Sequence, residues 1–520
     1  MADGKADLVL HEGLVFGRPG CDSLAVAGDR IVALGSFREL KSLVSPRTRL
    51  IPLDGRMVAP GFIDSHLHFL EAASVAAGVG LSRCRSLTEL LAGLRLAAGK
   101  TPPGNWLRVF GCDEALLSER RGPTRAELDQ AVPKNPLRLR HQTLHASWLN
   151  SRAVAALGLE QPDFAAPEGA RLWRDSAGRL TGLVVGMEEW LGRRMPVVTR
   201  AELEARVRLV SRELASAGVT GFTDAGARNG PEELALFAEF VAGGLVAQRV
   251  GLMLGAAHAA ADSAPQWRRQ AASAGIRLAG IKFIPRLEGG SAGGLAEKVA
   301  QALVRGFGCA FHVTEVDELE CVLAALEKAL PAAQAQSPAP APLRIEHGGV
   351  IPPDQVPRLA ALGAWVVTNP GFIYYRGSKY LDDPGLASYL YPARTLLERG
   401  IRLAGATDAP VTPARPLSAM AAAVTRLTRD GVALGPDQRL TRDQAFALFT
   451  SSAASLFGVD AGEVSPGRLA DLVVLEADPL SAEPGELAAV SVDLTIIGGR
   501  LVYERSKPRV LVGATFREVE

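Results

Sequence analysis

From about residue 218 onward the chain alternates between two textures. Short apolar, β-branched runs recur at Gly218-Val-Thr-Gly-Phe-Thr-Asp, Arg249-Val-Gly-Leu-Met-Leu, Leu278-Ala-Gly-Ile-Lys-Phe-Ile, Cys309-Ala-Phe-His-Val, Leu343-Arg-Ile-Glu-His, Ala364-Trp-Val-Val-Thr and Ile401-Arg-Leu-Ala-Gly. Between them lie stretches with helical spacing, such as Pro231-Glu-Glu-Leu-Ala-Leu-Phe-Ala-Glu-Phe and Val316-Asp-Glu-Leu-Glu-Cys-Val-Leu. Strands alternating with helices predict parallel βαβ units. These seven runs and an earlier one, Val58-Ala-Pro-Gly-Phe-Ile-Asp, make eight. Eight is the count of a closed (β/α)8 TIM barrel, expected over residues 58–461; a doubly wound open α/β sheet is the competing architecture.

Two regions break the rhythm. Residues 70–215 separate the first strand from the second by far more than one helix needs, so an inserted subdomain or lid is expected there. Its far end carries a capping-box signature, Thr199-Arg-Ala-Glu202, opening the helix that returns to the barrel. The chain ends, 1–57 and 462–520, hold short alternating runs with turn residues, such as Asp7-Leu-Val-Leu and Ala470-Asp-Leu-Val-Val-Leu. They predict a small β-sandwich domain built from both termini. The Pro/Ala/Gln tract at 331–342 reads as a low-complexity loop.

Composition narrows the chemistry. The 520 residues carry 57 Lys+Arg against 56 Asp+Glu, a net charge of +1, which argues against binding nucleic acid or an acidic membrane by bulk electrostatics. At 48% hydrophobic the chain can bury a large core. No run of ~18 apolar residues suggests a membrane span. Five scattered cysteines without C-x-x-C, and no signal-peptide core, point to a reducing cytoplasm and against a disulfide scaffold. H-E-x-x-H does not occur, so a zincin reading loses its main support.

The eight histidines are the place to look. His66 and His68 stand in Gly61-Phe-Ile-Asp-Ser-His-Leu-His at the end of the first strand, and i, i+2 residues of a strand share a face. Two imidazoles together at the C-terminal end of a barrel strand are what a metal site needs. His312 ends the fifth run, His347 the sixth, and Asp408 in Gly405-Ala-Thr-Asp-Ala-Pro follows the eighth. Lys282, one of nine lysines, lies in the fourth strand, where an unpaired buried ammonium is costly. Either it snorkels outward under a helix or it is liganded or modified.

This set, with Val58-Ala-Pro-Gly-Phe-Ile-Asp-Ser-His-Leu-His and Gly467-Arg-Leu-Ala-Asp-Leu-Val-Val-Leu, resembles the amidohydrolase superfamily. The long insertion, Arg344-Ile-Glu-His and Thr407-Asp-Ala-Pro-Val resemble its amidohydrolase-3 branch, which includes N-substituted formamide deformylases. The resemblance implies His66 and His68 as ligands of one divalent metal, and His312 and His347 as ligands of a second. Lys282, carboxylated by CO2, would bridge the two as a carbamate. Asp408 would bind metal and act as general base and acid. Such a donor set suits Zn2+, with Fe2+ or Mn2+ as alternatives, and a metal-bound water titrates near neutrality.

The segment Pro285-Arg-Leu-Glu-Gly-Gly, the Thr314-Glu-Val run after His312 and Gly186 depart from the branch's pattern. They leave the ligand set intact and put the substrate in doubt. His145, Arg286, Tyr374, Tyr375 and Arg376 are candidate substrate contacts, Tyr374–Arg376 on a loop at the barrel mouth. Asp64 reads as a hydrogen-bonding support of the ligand strand, while His11, His141 and His258 default to structural roles. The expectation is a metal-dependent hydrolase of a small-molecule C–N bond, of amide, N-acyl or formamide type. Deamination or C–O hydrolysis on the same site, or a non-catalytic barrel, are the alternatives. The expected partner is a small-molecule substrate, with neither nucleic acid nor membrane, and homo-oligomerisation is left open.

Overall fold

Eight all-parallel strands pair in chain order: β1 (Phe62–Leu67), β2 (Val219–Asp224), β3 (Arg249–Gly255), β4 (Ile276–Phe283), β5 (Cys309–Val313), β6 (Leu343–His347), β7 (Trp365–Thr368) and β8 (Arg402–Gly405). This is the computed structural model of the chain, and it describes residues 4–76, 79–81, 84–143, 145–196, 198–285, 292–334, 342–381 and 384–505. The strands are buried nearly throughout and rich in Val, Ile and Phe, as a sheet covered on both faces requires. One set of side chains packs outward under the helices: Phe69 stacks on Phe222 at 4.9 Å, with Phe237 and Phe240 beside them. Burying each such ring contributes about 2–3 kcal/mol.

The seam between β8 and β1 is closed by residues just beyond β8. The Asp408 amide donates to the His66 carbonyl (2.9 Å) and the His68 amide to the Ala409 carbonyl (2.7 Å). The bonds that complete the barrel therefore run through the candidate site. Helix Ser451–Phe457 plugs the opposite end, Leu456 packing with Trp365 and Ala404, and Phe457 with Ile63.

The run Val58–Asp64, expected to be one barrel strand, is two strands. Met57–Pro60 pairs antiparallel with Leu472–Leu475, outside the barrel, and β1 begins at Phe62. Gly61 makes the bend: a Cβ there would stand 2.3 Å from Thr220 Cγ2. Around Met57–Pro60 a five-stranded sheet forms with Leu14–Val15, Leu472–Leu475, Val492–Ile497 and Arg500–Glu504. A four-stranded sheet from residues 8–52 faces it, and Leu10, Leu24, Val58, Val474 and Ile496 fill the space between.

The insertion folds around its own six-stranded sheet, from Val79–Gly80 to Leu180–Val185, with a separate core at Leu90, Leu94, Val109, Leu128 and Leu139. Thr199 and Glu202 form the expected capping box on helix Arg200–Ser216. Polar contacts tie the insertion to the barrel mouth. Gln142 Nε2 donates to the carbonyls of Pro410 and Val411 (3.0 and 2.6 Å), and Arg140 Nη1 meets Glu71 Oε2 at 3.0 Å. The tract expected to be a loop from 331 starts later. Helix Val316–Gln334 runs through Pro331, held by the buried Ala329 and Ala333, and residues 335–341 lie outside the described residues.

Candidate metal centre

Strand ends deliver the side chains. His66 lies in β1 and His68 directly after it; His312 lies in β5; His347 closes β6; Asp408 follows β8. Lys282 sits near the end of β4 and is 2% exposed, so the outward, solvent-reaching alternative does not hold. His347 and Asp408 adopt left-handed backbone conformations, φ 70° and 59°. Such conformations cost of order 1 kcal/mol or more in a residue with a Cβ, and here they turn two side chains into the mouth.

The atoms converge. Asp408 Oδ1 lies 3.1 Å from His68 Nε2 and 3.5 Å from His66 Nε2. The His66 and His347 ring centroids are 4.8 Å apart, and His347 Nε2 is 3.1 Å from His312 Nδ1. Yet His66 Nε2, Asp408 Oδ1 and Lys282 Nζ are buried with no hydrogen-bond partner. Buried polar atoms are normally paired. A cluster of inward-aimed imidazole nitrogens and a carboxylate left unsatisfied fits a divalent cation, which His66, His68 and Asp408 could hold.

Protonation agrees. Burial, then the Lys282 charge, pushes His66 well below the usual imidazole range. Burial and the neighbouring His347 do the same to His312, and burial also lowers His347. Neutral imidazoles are the ligating form. Burial alone would raise Asp408, but the His68 contact outweighs it and holds the carboxyl below its usual range. Burial lowers Lys282 to about 8, the carboxylates Glu346 and Asp408 opposing it.

A second set of residues orients the first. Glu346, fully buried, meets His66 Nδ1 at 2.5 Å and accepts from Arg344 Nε at 2.7 Å; Arg344 Nη2 also donates to the Ser65 carbonyl (2.7 Å). With Nδ1–H engaged, Nε2 of His66 is the free nitrogen. Asn369 Oδ1 does the same for His347 Nδ1 at 2.9 Å. Asp64 accepts from the Thr407 amide (3.0 Å) and hydroxyl (2.5 Å) and from the His66 amide, tying β1 to the Asp408 turn. Asp224, at the end of β2, accepts from the Phe69 amide (2.8 Å) and Asn229 Nδ2 (2.7 Å), fixing the turn after His68. Of these supports only Asp64 is legible from sequence. Glu346 had a readable signal, a carboxylate one residue before a candidate ligand in a buried strand.

Residues 49–503 match the sequence model of the Amidohydrolase family. The chain belongs to the amidohydrolase family. It is thus a member of a hydrolase family, and its sequence is 28% identical to N-substituted formamide deformylase of Arthrobacter pascens, over 95% of this chain and 97% of that protein. In fold it is similar to an uncharacterized metal-dependent hydrolase from Pyrococcus horikoshii, with a TM-score of 0.70, 20% identity, and coverage of 92% of this chain and 99% of the other. It is also similar to atrazine chlorohydrolase TrzN from Arthrobacter aurescens, solved with zinc, with a TM-score of 0.53, 16% identity, and coverage of 97% and 96%.

The mouth of this amidohydrolase is lined less evenly than expected. His145 is exposed, within electrostatic reach of Asp408 and His68, and partial desolvation lowers its pKa. Tyr374, Tyr375 and Arg376 lie not on a loop but on a short helix, Gly371–Arg376, whose Phe372 stacks on the His347 ring at 6.1 Å. Burial of Ile373 among Val350, Leu390, Tyr391 and Leu434 keeps that turn helical. Tyr374 is exposed, while Arg376 faces Asp113 of the insertion at 3.9 Å. Arg286 lies outside the described residues. His141 has partners the sequence did not suggest: Glu114 at 3.3 Å and Asp113 at 3.8 Å. Lys379 also approaches Asp113, at 3.7 Å, so this acidic group is already matched by cations. No helix is long and apolar enough to cross a membrane among the described residues.

Proposed function

We propose that the chain hydrolyses a carbon–nitrogen bond in a small molecule, of amide, N-acyl or formamide type. His66, His68 and Asp408 would hold a divalent metal, with zinc the first choice and Fe2+ or Mn2+ as alternatives. Lys282, His312 and His347 would complete the centre. The observation that carries this reading is the convergence of His66 Nε2, His68 Nε2 and Asp408 Oδ1, the carboxylate oxygen 3.5 and 3.1 Å from the two imidazoles, with His66 Nε2 left without a hydrogen bond among the described residues.

A divalent ion bound there supplies Lewis acidity, lowering the pKa of water and polarising the substrate carbonyl. The chain's own residues do the rest. Asp408, held ionised, is placed to take a proton and return it to the departing amine nitrogen. Glu346 and Asn369 keep His66 and His347 in one tautomer each. Lys282, with its pKa near 8, presents a neutral amine in part of the population at neutral pH. That is the form able to add CO2, forming an N–C bond with release of one proton and replacing an uncompensated buried cation by an anion. His145 and the Tyr374–Arg376 helix stand where a substrate would enter.

The test is hydrolysis of a panel of formamides, N-acyl amino acids and cyclic amides by protein of measured metal content, with Asp408→Asn alongside. Release of amine from one class, lost in Asp408→Asn, supports the reading. Less than one bound transition metal per chain, with no hydrolysis after zinc or manganese is added, overturns it.

A further inference from the structure

Beneath the metal centre the barrel is not filled. A cavity of about 590 Å3 opens between the lower ends of β2–β6 and helix Ser451–Phe457. Its origin is in the sequence. Met253 and Ala310 pack into the barrel interior, whereas Thr223, Gly251 and Ala279 line the cavity with little side-chain volume. Barrel layers are ordinarily filled by bulky branched residues at such positions. Ala279 stays partly exposed in the middle of β4 as a result.

The lining is also one-sided in charge. Among the described residues it contains Arg249, Arg268, Arg277 and Arg344 and no acidic side chain. Arg249 is neutralised by Asp471, at 2.5 and 2.9 Å. Arg277 bonds the Gly458 carbonyl (3.0 Å), and Arg268 bonds the Arg305 carbonyl and lies over the Phe307 ring at 4.5 Å. Among the described residues neither meets a carboxylate. Arg344, 2% exposed, uses Nε and Nη2 on Glu346 and Ser65, and among the described residues no hydrogen bond is formed by its Nη1. Two arginines that meet no carboxylate among the described residues, and a third bound to Glu346, therefore line one cavity, and Leu278, Phe307 and Phe457 are among its apolar walls.

We propose that this cavity is a second ligand site, for a small organic carboxylate with an apolar body. Guanidinium forks match a carboxylate in geometry as well as charge. A cation would be repelled, and a bare inorganic anion would leave the apolar walls wet. Arg344 also bonds Glu346, the acceptor of His66, so the site touches the support of the metal centre from below.

Calorimetric titration of the full chain with benzoate tests the proposal, with benzamide, benzylamine and inorganic phosphate as comparison probes. Expected is one saturable benzoate site that persists in Asp408→Asn. Arg277→Glu, a change at an exposed side chain, should weaken it at least about tenfold. Ala279→Leu, which pushes a larger side chain into the cavity wall beside Thr223 and Gly251, should also weaken it, circular dichroism confirming the fold of each variant. The proposal is overturned by an absence of saturable benzoate binding, or by binding unchanged in both variants. Loss of binding in Asp408→Asn also overturns it, by placing benzoate at the mouth. So does benzamide, benzylamine or phosphate binding as tightly as benzoate.

Discussion

Replacing Glu346 by Gln separates what the buried ion column does for the fold from what it does for the site. The wild-type carboxylate, fully buried, accepts from Arg344 Nε at 2.7 Å and meets His66 Nδ1 at 2.5 Å. Glu346→Gln leaves the Arg344 guanidinium buried with the Ser65 carbonyl and at most one amide oxygen for partners. Breaking a buried pair in this way costs about 3–5 kcal/mol, and the retained amide acceptor places this variant toward the lower figure. His66 loses its charged acceptor as well, which should weaken divalent-metal binding by about 10–100-fold. Urea unfolding measures the first effect and chelator competition the second. The double variant Arg344→Met with Glu346→Leu is the control. It removes both charges, so most of the stability should return, while metal affinity should stay low because His66 Nδ1–H still lacks an acceptor. A single variant within about 1 kcal/mol of wild type, or a double variant with wild-type metal affinity, would refute the reasoning.

Other outcomes follow from the same geometry. Asp408→Asn should lower turnover about a hundredfold to ten-thousandfold with the far-ultraviolet spectrum unchanged; activity within tenfold of wild type removes Asp408 from proton transfer. Because Asp408 is held below its ordinary value, its ionised form persists in acid, and its titration should give the pH–rate profile no limb between pH 5 and 7. Lys282 binds fewer protons folded than unfolded between about 8 and its ordinary 10.5, so chelator-treated protein should gain stability as pH rises through that window. The gain is on the order of 3 kcal/mol, and Lys282→Met should flatten it; a slope unchanged in that variant contradicts the assignment. Gln142→Ala removes two hydrogen bonds between the insertion and the Pro410–Val411 turn, so it should reduce kcat by more than its cost of about 1–2 kcal/mol in stability explains. Unaltered kinetics would mean the tether does not hold the Asp408 turn.

The barrel, the insertion and the two-ended β domain were legible because each rests on local periodicity. β-branched runs such as Trp365–Thr368 and the Thr199–Glu202 box carry their structure in their own residues. The ligand candidates were legible for a related reason: scarce histidines at strand ends stand out against apolar surroundings. What stayed hidden depends on contacts distant in the chain. Glu346 supports a histidine 280 positions away, and Asp64 holds a threonine 343 positions away, so neither pairing has a local signature. The split at Gly61 was missed because its cause is Thr220, on another strand. The Gly371–Arg376 helix was read as a loop because a single buried turn is too short to show a period. The basal cavity could not be read either. Gly251 and Ala279 look like ordinary small residues until the strands place them in one layer.

The most direct measurement is the position of metal in crystals of the purified chain, by anomalous scattering at the zinc edge and, where zinc is absent, the iron and manganese edges. The account predicts a peak between His66 Nε2, His68 Nε2 and Asp408 Oδ1. A peak only at Asp113, Glu114 and His141, the other group of potential ligands among the described residues, or no peak at any edge, would contradict it.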